Sequence, residues 1–294
     1  MLSAYSKTLA AANAVSYRLP WGTIRGLCWG NPGQVAVVCT HGWLDNAHSF
    51  LPVAEHWDTR QGALIALDFA GHGLSDHRPA GNHYHFIDYA YDLWLIIQQQ
   101  DWQNLTLVGH SMGGFAANIV ASLCSDRLKH LILIEAFGLV VSDGEDAHQQ
   151  LLDGFQSRRK LSCGRWRDYS ELASAVDARL KTADFSKELV EMLLQRGCYR
   201  NAKGRWQWRA DPQVKSTSPY RLPAATVDQV LAKIDVPVTL LRGEAGYSKL
   251  ANAVERWQHC IEQLNINTLP GGHHLHMESP QAIATLLANI CRAE

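Results

Sequence analysis

Leu105-Thr106-Leu107-Val108-Gly109-His110-Ser111-Met112-Gly113-Gly114-Phe115 is the stretch around which the sequence is organised. The apolar run that ends at Gly109 is typical of a buried strand, and the apolar spacing after Gly114 predicts a helix. Between them stands the pattern G-x-S-x-G, which predicts a sharp strand-to-helix turn with Ser111 at its apex. Glycines suit that turn, because side chains there would collide with the strand or the helix. The turn would point the Ser111 hydroxyl outward, beside the first amides of the helix.

The composition is that of an ordinary globular chain. Its 294 residues are 47% hydrophobic and 19% charged, enough for one large domain or a core with an insertion. The net charge of −1 gives no reason to expect a nucleic-acid or membrane partner. Seven cysteines without paired spacing, Cys163 among them, favour reduced thiols and a cytoplasmic location. We find no convincing secretory signal and no apolar run of the roughly 20 residues that a membrane span needs.

Predicted strands and helices alternate along much of the chain. A hairpin is predicted within 15–29, and the apolar runs predict strands over 35–40, 63–67, 105–109, 131–134, 238–241 and 266–269. Helices are predicted over 49–58, 88–99 and 280–291. Unbroken apolar strands that alternate with helices indicate an α/β fold, with a mostly parallel sheet covered on both faces. Functional loops of such sheets gather at the carboxyl ends of the strands.

The stretch 138–234 has a different character. It contains charged helical segments over 147–160, 169–181 and 187–197 and an aromatic-basic segment over 204–209, but no predicted strand of the sheet. About a hundred residues are too many for a structureless loop. We therefore predict an α/β core in two parts, 1–137 and 235–294, interrupted by a helical cap or lid over 138–234. Trp206 and Trp208 are interpreted as cap packing or pocket lining, not as a platform for nucleic acid.

A nucleophilic serine needs a histidine to accept its proton. The best candidate is His273, in a glycine-rich loop just after the last predicted strand, with His274 and His276 as nearby competitors. This H-H-x-H spacing does not match a zinc site, so no metal is expected. The negative charge on a tetrahedral intermediate needs two donors, for which the backbone amides of Met112 and Trp43 are the candidates.

Four motifs in a fixed order now carry a resemblance: HGWLDNA at 41–47, DFAGHGLS at 68–75, GHSMGG at 109–114, and GH at 272–273 followed by Glu278 and Pro280. The sequence resembles the α/β-hydrolase superfamily and, within it, the serine hydrolase-like proteins, over nearly all of the chain except the insertion. The resemblance implies an eight-stranded, mostly parallel sheet with a cap domain and no cofactor. It also implies that Ser111 is the nucleophile and His273 the base.

The third member of the triad departs from the pattern of the superfamily. Many of its members carry an aspartate three residues after the glycine that ends the penultimate strand, where this chain has Gly246. A carboxylate is needed to fix the histidine tautomer and to stabilise its charged form. Glu135, at the end of the strand over 131–134, is our first choice, and Glu244, two residues before Gly246, is the second. A serine–histidine dyad or another acid such as Asp143 is the remaining alternative.

We expect a cofactor-independent serine hydrolase that cleaves a carboxylic ester through an acyl-enzyme on Ser111. Serine at this position argues against epoxide hydrolase and haloalkane dehalogenase chemistry, which use a carboxylate in relatives. The alternatives are a carbon–carbon bond hydrolase of the same fold and a low-turnover ligand-binding or receptor protein on the same scaffold. The expected partner is a small hydrophobic ester, and either a monomer or a homodimer fits the sequence. The predicted substrate-binding residues are Trp43, Leu44, His110 and Phe137.

Overall fold

The computed structural model describes residues 4–142, 146–161 and 167–292. Asp143 and Cys163 lie outside these ranges. The strands within them are β1 (Asn13–Leu19), β2 (Gly22–Trp29), β3 (Val35–Thr40), β4 (Ala63–Leu67), β5 (Leu105–His110), β6 (Leu128–Ile134), β7 (Val141–Ser142), β8 (Cys198–Arg200), β9 (Trp206–Trp208), β10 (Leu222–Pro223), β11 (Val238–Gly243) and β12 (Leu264–Leu269). The α-helices are α1 (Ser6–Ala10), α2 (Leu51–Glu55), α3 (Phe86–Gln99), α4 (Met112–Leu123), α5 (Ala147–Leu161), α6 (Leu172–Leu180), α7 (Lys187–Gly197), α8 (Ala224–Leu231), α9 (Leu250–Trp257), α10 (Leu275–Glu278) and α11 (Pro280–Arg292). None of the described helices is long and apolar enough to cross a bilayer.

Eight strands form one sheet in the order β1-β2-β4-β3-β5-β6-β11-β12. The β1–β2 and β2–β4 pairs are antiparallel, and every other neighbouring pair is parallel. All residues of β4 and β5 are buried, because helices cover both faces of the sheet. The predicted fold class, a mostly parallel eight-stranded α/β sheet, is confirmed.

The hydrophobic core lies in two layers, one on each face of the sheet. Successive residues of a strand point to opposite faces, so Leu107 of β5 belongs to one layer and Val108 to the other. The first layer is covered by α3, α4, α8 and α9. The second is covered by α2, α10 and α11, together with apolar residues of α6 and α7. Both ends of the segment 105–115 are therefore fixed by packing, which positions the turn between β5 and α4.

Most predicted elements differ from the structure by one to three residues at an end, and two differences are larger. The helix predicted over 49–58 is a 3₁₀ turn, Ala47–Phe50, followed by the five-residue α2. The stretch 138–234 is not purely helical: β7 pairs with β10, and β8 pairs with β9. Strands of two or three residues are too short for a periodic pattern. The sequence of the aromatic-basic segment over 204–209 therefore does not show that it is part of a hairpin. The strands of the main sheet lie outside 138–234, and the division of the chain into domains stays a prediction.

Helix α7 is fastened to the core by buried polar contacts. The Arg196 guanidinium donates to both carboxylate oxygens of Asp68, with distances of 2.7 to 3.1 Å, and their side chains are 6% and 0% exposed. Asp68 also accepts from the backbone amides of Ala47 and Leu74. Nearby, the Asn46 side chain donates to the carbonyl of Leu193 at 3.0 Å. One buried carboxylate thus joins the 3₁₀ turn after β3, the loop after β4 and α7.

Replacing Arg196 by alanine is expected to lower the free energy of unfolding by about 3–5 kcal/mol, because Asp68 is left as a buried charge without its cation. Urea denaturation followed by circular dichroism measures the loss. Arg60→Ala is the matched control, because Arg60 pairs with Asp58 on the surface and its side chain is 89% exposed. Equal denaturation midpoints for the two variants would contradict a structural role for the buried pair.

Candidate active site

Ser111 stands at the apex of the turn between β5 and α4. Its backbone has φ 49° and ψ −116°, a left-handed conformation that a residue with a side chain rarely adopts. A Cβ on Gly109 would overlap the backbone of Gly113, and a Cβ on Gly113 would overlap the carbonyl of Thr40. The close approach of strand and helix therefore requires both glycines, as the motif predicts. The strained backbone presents the hydroxyl at the carboxyl edge of the sheet.

Ser111, His273 and Glu135 form a continuous hydrogen-bonded chain. The Oγ of Ser111 lies 3.0 Å from Nε2 of His273, and Nδ1 of His273 lies 3.2 Å from Oε2 of Glu135. A carboxylate only accepts hydrogen bonds, so the proton of the neutral ring is assigned to Nδ1. Nε2 is then free to accept the proton of the Ser111 hydroxyl. The hydrogen bonds that join Ser111, His273 and Glu135 thus run in the direction that general-base activation requires.

The position of Glu135 is set by the backbone around it. Its own φ is 53°, its side chain is fully buried, and its two oxygens accept from the amides of Gly243 and Tyr247. A Cβ on Gly246 would overlap this carboxylate. Gly246 therefore provides the space that Glu135 fills, at the position where the resembled superfamily often has its aspartate. Glu244, the second candidate, is exposed, and its amide donates to Leu269 in the neighbouring strand.

A second chain of charged groups runs beside the first. His274 donates from Nδ1 to Asp184 at 2.7 Å and from Nε2 to Asp45 at 3.2 Å. Burial alone would lower the pKa of His274, but these two carboxylates outweigh it and raise the pKa to about 9. Asp184 also accepts from the amide of His273 at 2.8 Å. Asp184, which lies between α6 and α7, thus accepts hydrogen bonds both from the backbone of His273, the candidate base, and from the charged ring of His274.

The two other histidines near His274, which are His110 and His276, are neutral. Burial, with the neighbouring rings, holds the pKa of His110 well below its usual range and lowers that of His276 to about 3. His110 donates from Nε2 to the carbonyl of His273 at 2.9 Å, so it supports the loop. Asp45, His110 and His274 bring ligand-type atoms within 4.8 Å of one another. Because a protonated His274 has no free lone pair, we interpret this cluster as an ion-pair network.

The charge on His274 makes a pH-dependent contribution to stability. Its pKa is about 9 in the folded protein, above the usual value of 6.5, so the contribution of about 3 kcal/mol is complete below about pH 6.5 and is lost as the pH rises through about 9. We expect the difference in unfolding free energy between the parent protein and His274→Gln to be largest at acidic pH and to vanish in alkali. Urea titrations across this range measure it, and a difference independent of pH would contradict the charged assignment.

A cavity of about 660 Å³ opens beside Ser111. Trp43 and Met112 line it, and the indole of Trp43 donates to the carbonyl of Val214 in the insertion. Met112 is the first residue of α4, where backbone amides have no partner within the helix. Most of the remaining lining is apolar, and includes Phe86, Ile87, Phe115, Ile119, Leu139 and Leu222. The cavity is therefore suited to an apolar group next to the serine.

Three of the four predicted substrate-binding residues do not line this cavity. Phe137 is 2% exposed and packs in the core layer under α4. His110 is 1% exposed and points to the His273 loop, and Leu44 is half-buried. All three lie within two residues of a site residue in the sequence, but residues close in sequence point in different directions. Trp43 is the one of the four that reaches the cavity.

Sequence reasoning missed the Asp184–His274–Asp45 chain and the part of the lining contributed by the insertion. The sequence signal for the Asp184–His274–Asp45 chain is the pair of adjacent histidines at 273–274, because two histidines need two sets of hydrogen-bond partners. Asp184 carries no local signal, since it meets His274 across 90 residues of sequence. The same holds for Tyr220 and Leu222, which reach the cavity from the end of the insertion.

Comparison with known proteins agrees with this architecture. A serine hydrolase-like protein from Danio rerio is 25% identical over 297 residues, covering 97% of this chain and 90% of the relative. An esterase from Mycobacterium tuberculosis is 24% identical over 93% of this chain and 88% of the relative. A solved structure of a hypothetical protein from Pseudomonas aeruginosa PAO1 has a TM-score of 0.85 and 32% identity, covering 95% of this chain and 99% of that one. Residues 35–280 match the family model of the alpha/beta hydrolase fold, and the chain therefore belongs to that family.

Proposed function

We propose that this protein is a serine hydrolase that cleaves carboxylic esters through an acyl-enzyme. The observation that carries the proposal is the chain from Ser111 Oγ to His273 Nε2, at 3.0 Å, and from His273 Nδ1 to Glu135, at 3.2 Å. It lies at the mouth of an apolar cavity and beside the start of a helix. Relatives named as a serine hydrolase-like protein and an esterase support the same reaction class.

The first half-reaction forms the acyl-enzyme. Ser111 Oγ attacks the ester carbonyl carbon while its proton passes to Nε2 of His273, and the carbonyl electron pair moves onto oxygen. The amides of Met112 and Trp43 would donate to that oxygen. When the carbonyl re-forms, the bond to the alcohol oxygen breaks and the alcohol leaves with the proton from His273. Glu135 stays ionised throughout and stabilises the positive ring.

The second half-reaction repeats these steps with water. Nε2 of His273 takes a proton from a water molecule, whose oxygen attacks the acyl carbon. Collapse of the second tetrahedral intermediate breaks the bond to Ser111 Oγ, which recovers its proton from His273. The acid product then leaves. The ester and one water molecule are the reactants that balance the two steps.

The substrate class follows from the cavity. Its lining is mainly aliphatic and aromatic side chains from α3, α4 and the insertion, so the acyl or alcohol part next to the carbonyl is expected to be apolar. We therefore expect activated esters with apolar acyl groups to be better substrates than charged ones. The same serine and histidine would also serve carbon–carbon bond cleavage, but no contact of the described residues favours it.

A fluorophosphonate probe and a p-nitrophenyl ester test the proposal together. We expect one equivalent of probe to attach to Ser111, identified by peptide mass spectrometry, and the labelled protein to lose its release of p-nitrophenol. Denatured protein is the control, because a hydroxyl outside the folded site is unreactive. A folded protein that neither labels nor turns over the ester would favour the ligand-binding alternative.

A further inference from the structure

An apolar groove lies on the surface between α3 and α4. It has a volume of about 340 Å³ and is lined by Ile87, Ala90, Tyr91, Trp94, Ile119 and Leu123. We call these six residues the α3–α4 groove. Three of them are large apolar side chains that are at least half exposed, with exposed fractions of 53%, 50% and 64% for Ile87, Tyr91 and Leu123. Neighbouring exposed apolar side chains of this size indicate a binding surface.

The α3–α4 groove adjoins the cavity at Ser111. Ile87 and Ile119 line both of them. Along α4, Phe115, Ile119 and Leu123 follow Ser111 at intervals of four residues, so they lie on one face of the helix. A rise of 1.5 Å per residue places Leu123 about 18 Å along the helix axis from Ser111. These side chains therefore form an apolar path along α4, from Ser111 to the far end of the helix.

The chemistry of the lining restricts what can occupy this path. None of the six groove residues is charged, and the rings of Tyr91 and Trp94 stack with their centroids 6.2 Å apart to form one wall. A charged or strongly polar group would lose its hydration there without gaining a partner. A flexible hydrocarbon chain gains about 0.8 kcal/mol for each methylene that it buries, or up to about fourfold in binding per methylene.

We propose that the α3–α4 groove binds the distal part of a long, unbranched acyl chain whose carbonyl is at Ser111. The inference rests on the proposed function, because the chain is attached to the carbon that Ser111 attacks. It extends that function from small hydrophobic esters to long-chain acyl esters. An acetyl group cannot span the path from Ser111 to Leu123, whereas a long acyl chain can.

The test compares p-nitrophenyl esters that share a leaving group and differ in acyl length, from acetate to myristate, below their micelle concentrations. We expect kcat/KM to keep rising after the cavity at Ser111 is filled, and Leu123→Lys to lower it about tenfold for the long esters while acetate turnover is unchanged. Leu151→Lys is the matched control, because Leu151 is also an exposed leucine, at 44%, and lines neither cavity. The same loss for acetate and myristate in Leu123→Lys would overturn the proposal, as would no loss for either.

A binding measurement separates this inference from the proposed function. Dodecanoate is titrated against the parent protein and Leu123→Lys, with tryptophan fluorescence as the readout, since Trp94 lines the groove. Weaker binding to the variant supports the groove even if no ester is cleaved, and equal binding overturns it. Failure of acetate turnover alone counts against the proposed function, not the groove. A parent dimer that Leu123→Lys converts into a monomer would show that a second copy covers this surface, and would also overturn the proposal.

Discussion

Alanine at position 111 is expected to lower kcat for ester hydrolysis by about 10⁶-fold, the scale of loss when a triad nucleophile is removed. The Ser111 hydroxyl is the group that Nε2 of His273 contacts at 3.0 Å, and no acyl-enzyme forms without it. What remains is the rate that substrate binding and the oxyanion donors support over water. Steady-state kinetics with p-nitrophenyl acetate, supported by loss of fluorophosphonate labelling, measures the effect.

Ser122→Ala is the matched control for that variant. Ser122 lies on the same helix, and its hydroxyl donates to the carbonyl of Ile119, one turn earlier. Its replacement is expected to leave kcat close to that of the parent protein, with an unchanged circular dichroism spectrum. If Ser111→Ala kept most of the activity while folded, hydrolysis would have to occur elsewhere, and the assignment of the nucleophile would be wrong.

Glutamine at position 135 is expected to lower kcat by about 10⁴-fold, with a smaller effect on KM. The change keeps the size of the side chain but removes the charge that stabilises protonated His273. It also turns one oxygen into a donor, although both oxygens of Glu135 accept from backbone amides and one also accepts from His273. The misplaced donor would disturb the tautomer that leaves Nε2 free. Kinetics at saturating ester, with thermal unfolding to check the fold, measures the loss.

Glu244→Gln separates the two candidate acids. Glu244 is exposed, on the loop after β11, and its removal is expected to leave kcat near that of the parent protein. A large loss in Glu244→Gln with a small loss in Glu135→Gln would reverse the assignment. Equal mild effects in both would contradict both assignments and favour a serine–histidine dyad or another acid.

The sequence predicts the positions of the reacting groups better than the shape of the pocket. Ser111 and His273 are predictable because glycine-rich turns at strand ends are local patterns, and the carboxyl ends of parallel strands meet at one edge of the sheet. Glu135 is predictable because it follows a parallel strand, whose carboxyl end lies at that same edge of the sheet. In the structure, β6 pairs with β5 and ends next to it. The number of strands in the sheet follows from the family resemblance, and the strand order is not predicted, because sequence periodicity does not tell which strands pair.

The pocket lining depends on contacts between distant segments, which a single sequence does not encode locally. Phe137 and Leu139 are two residues apart in one apolar run and both pack in the core, yet Leu139 also lines the cavity and Phe137 does not. Asp184 meets the His273 loop only because the segment between α6 and α7 packs against that loop in the folded protein. The positions of these side chains depend on the direction that the backbone takes after a strand has ended, where the hydrophobic periodicity of the sequence stops.

The Glu135 carboxylate fills the space that a side chain at position 246 would need, and this restricts how such a triad can change during evolution. Aspartate at position 246 would overlap the carboxylate already in place, and loss of Glu135 first would leave the histidine without an acid. Either order of single substitutions therefore passes through a damaged intermediate. We expect lineages to keep one arrangement or the other for long periods, so that the residue at position 246 marks a branch of the family more reliably than overall identity does.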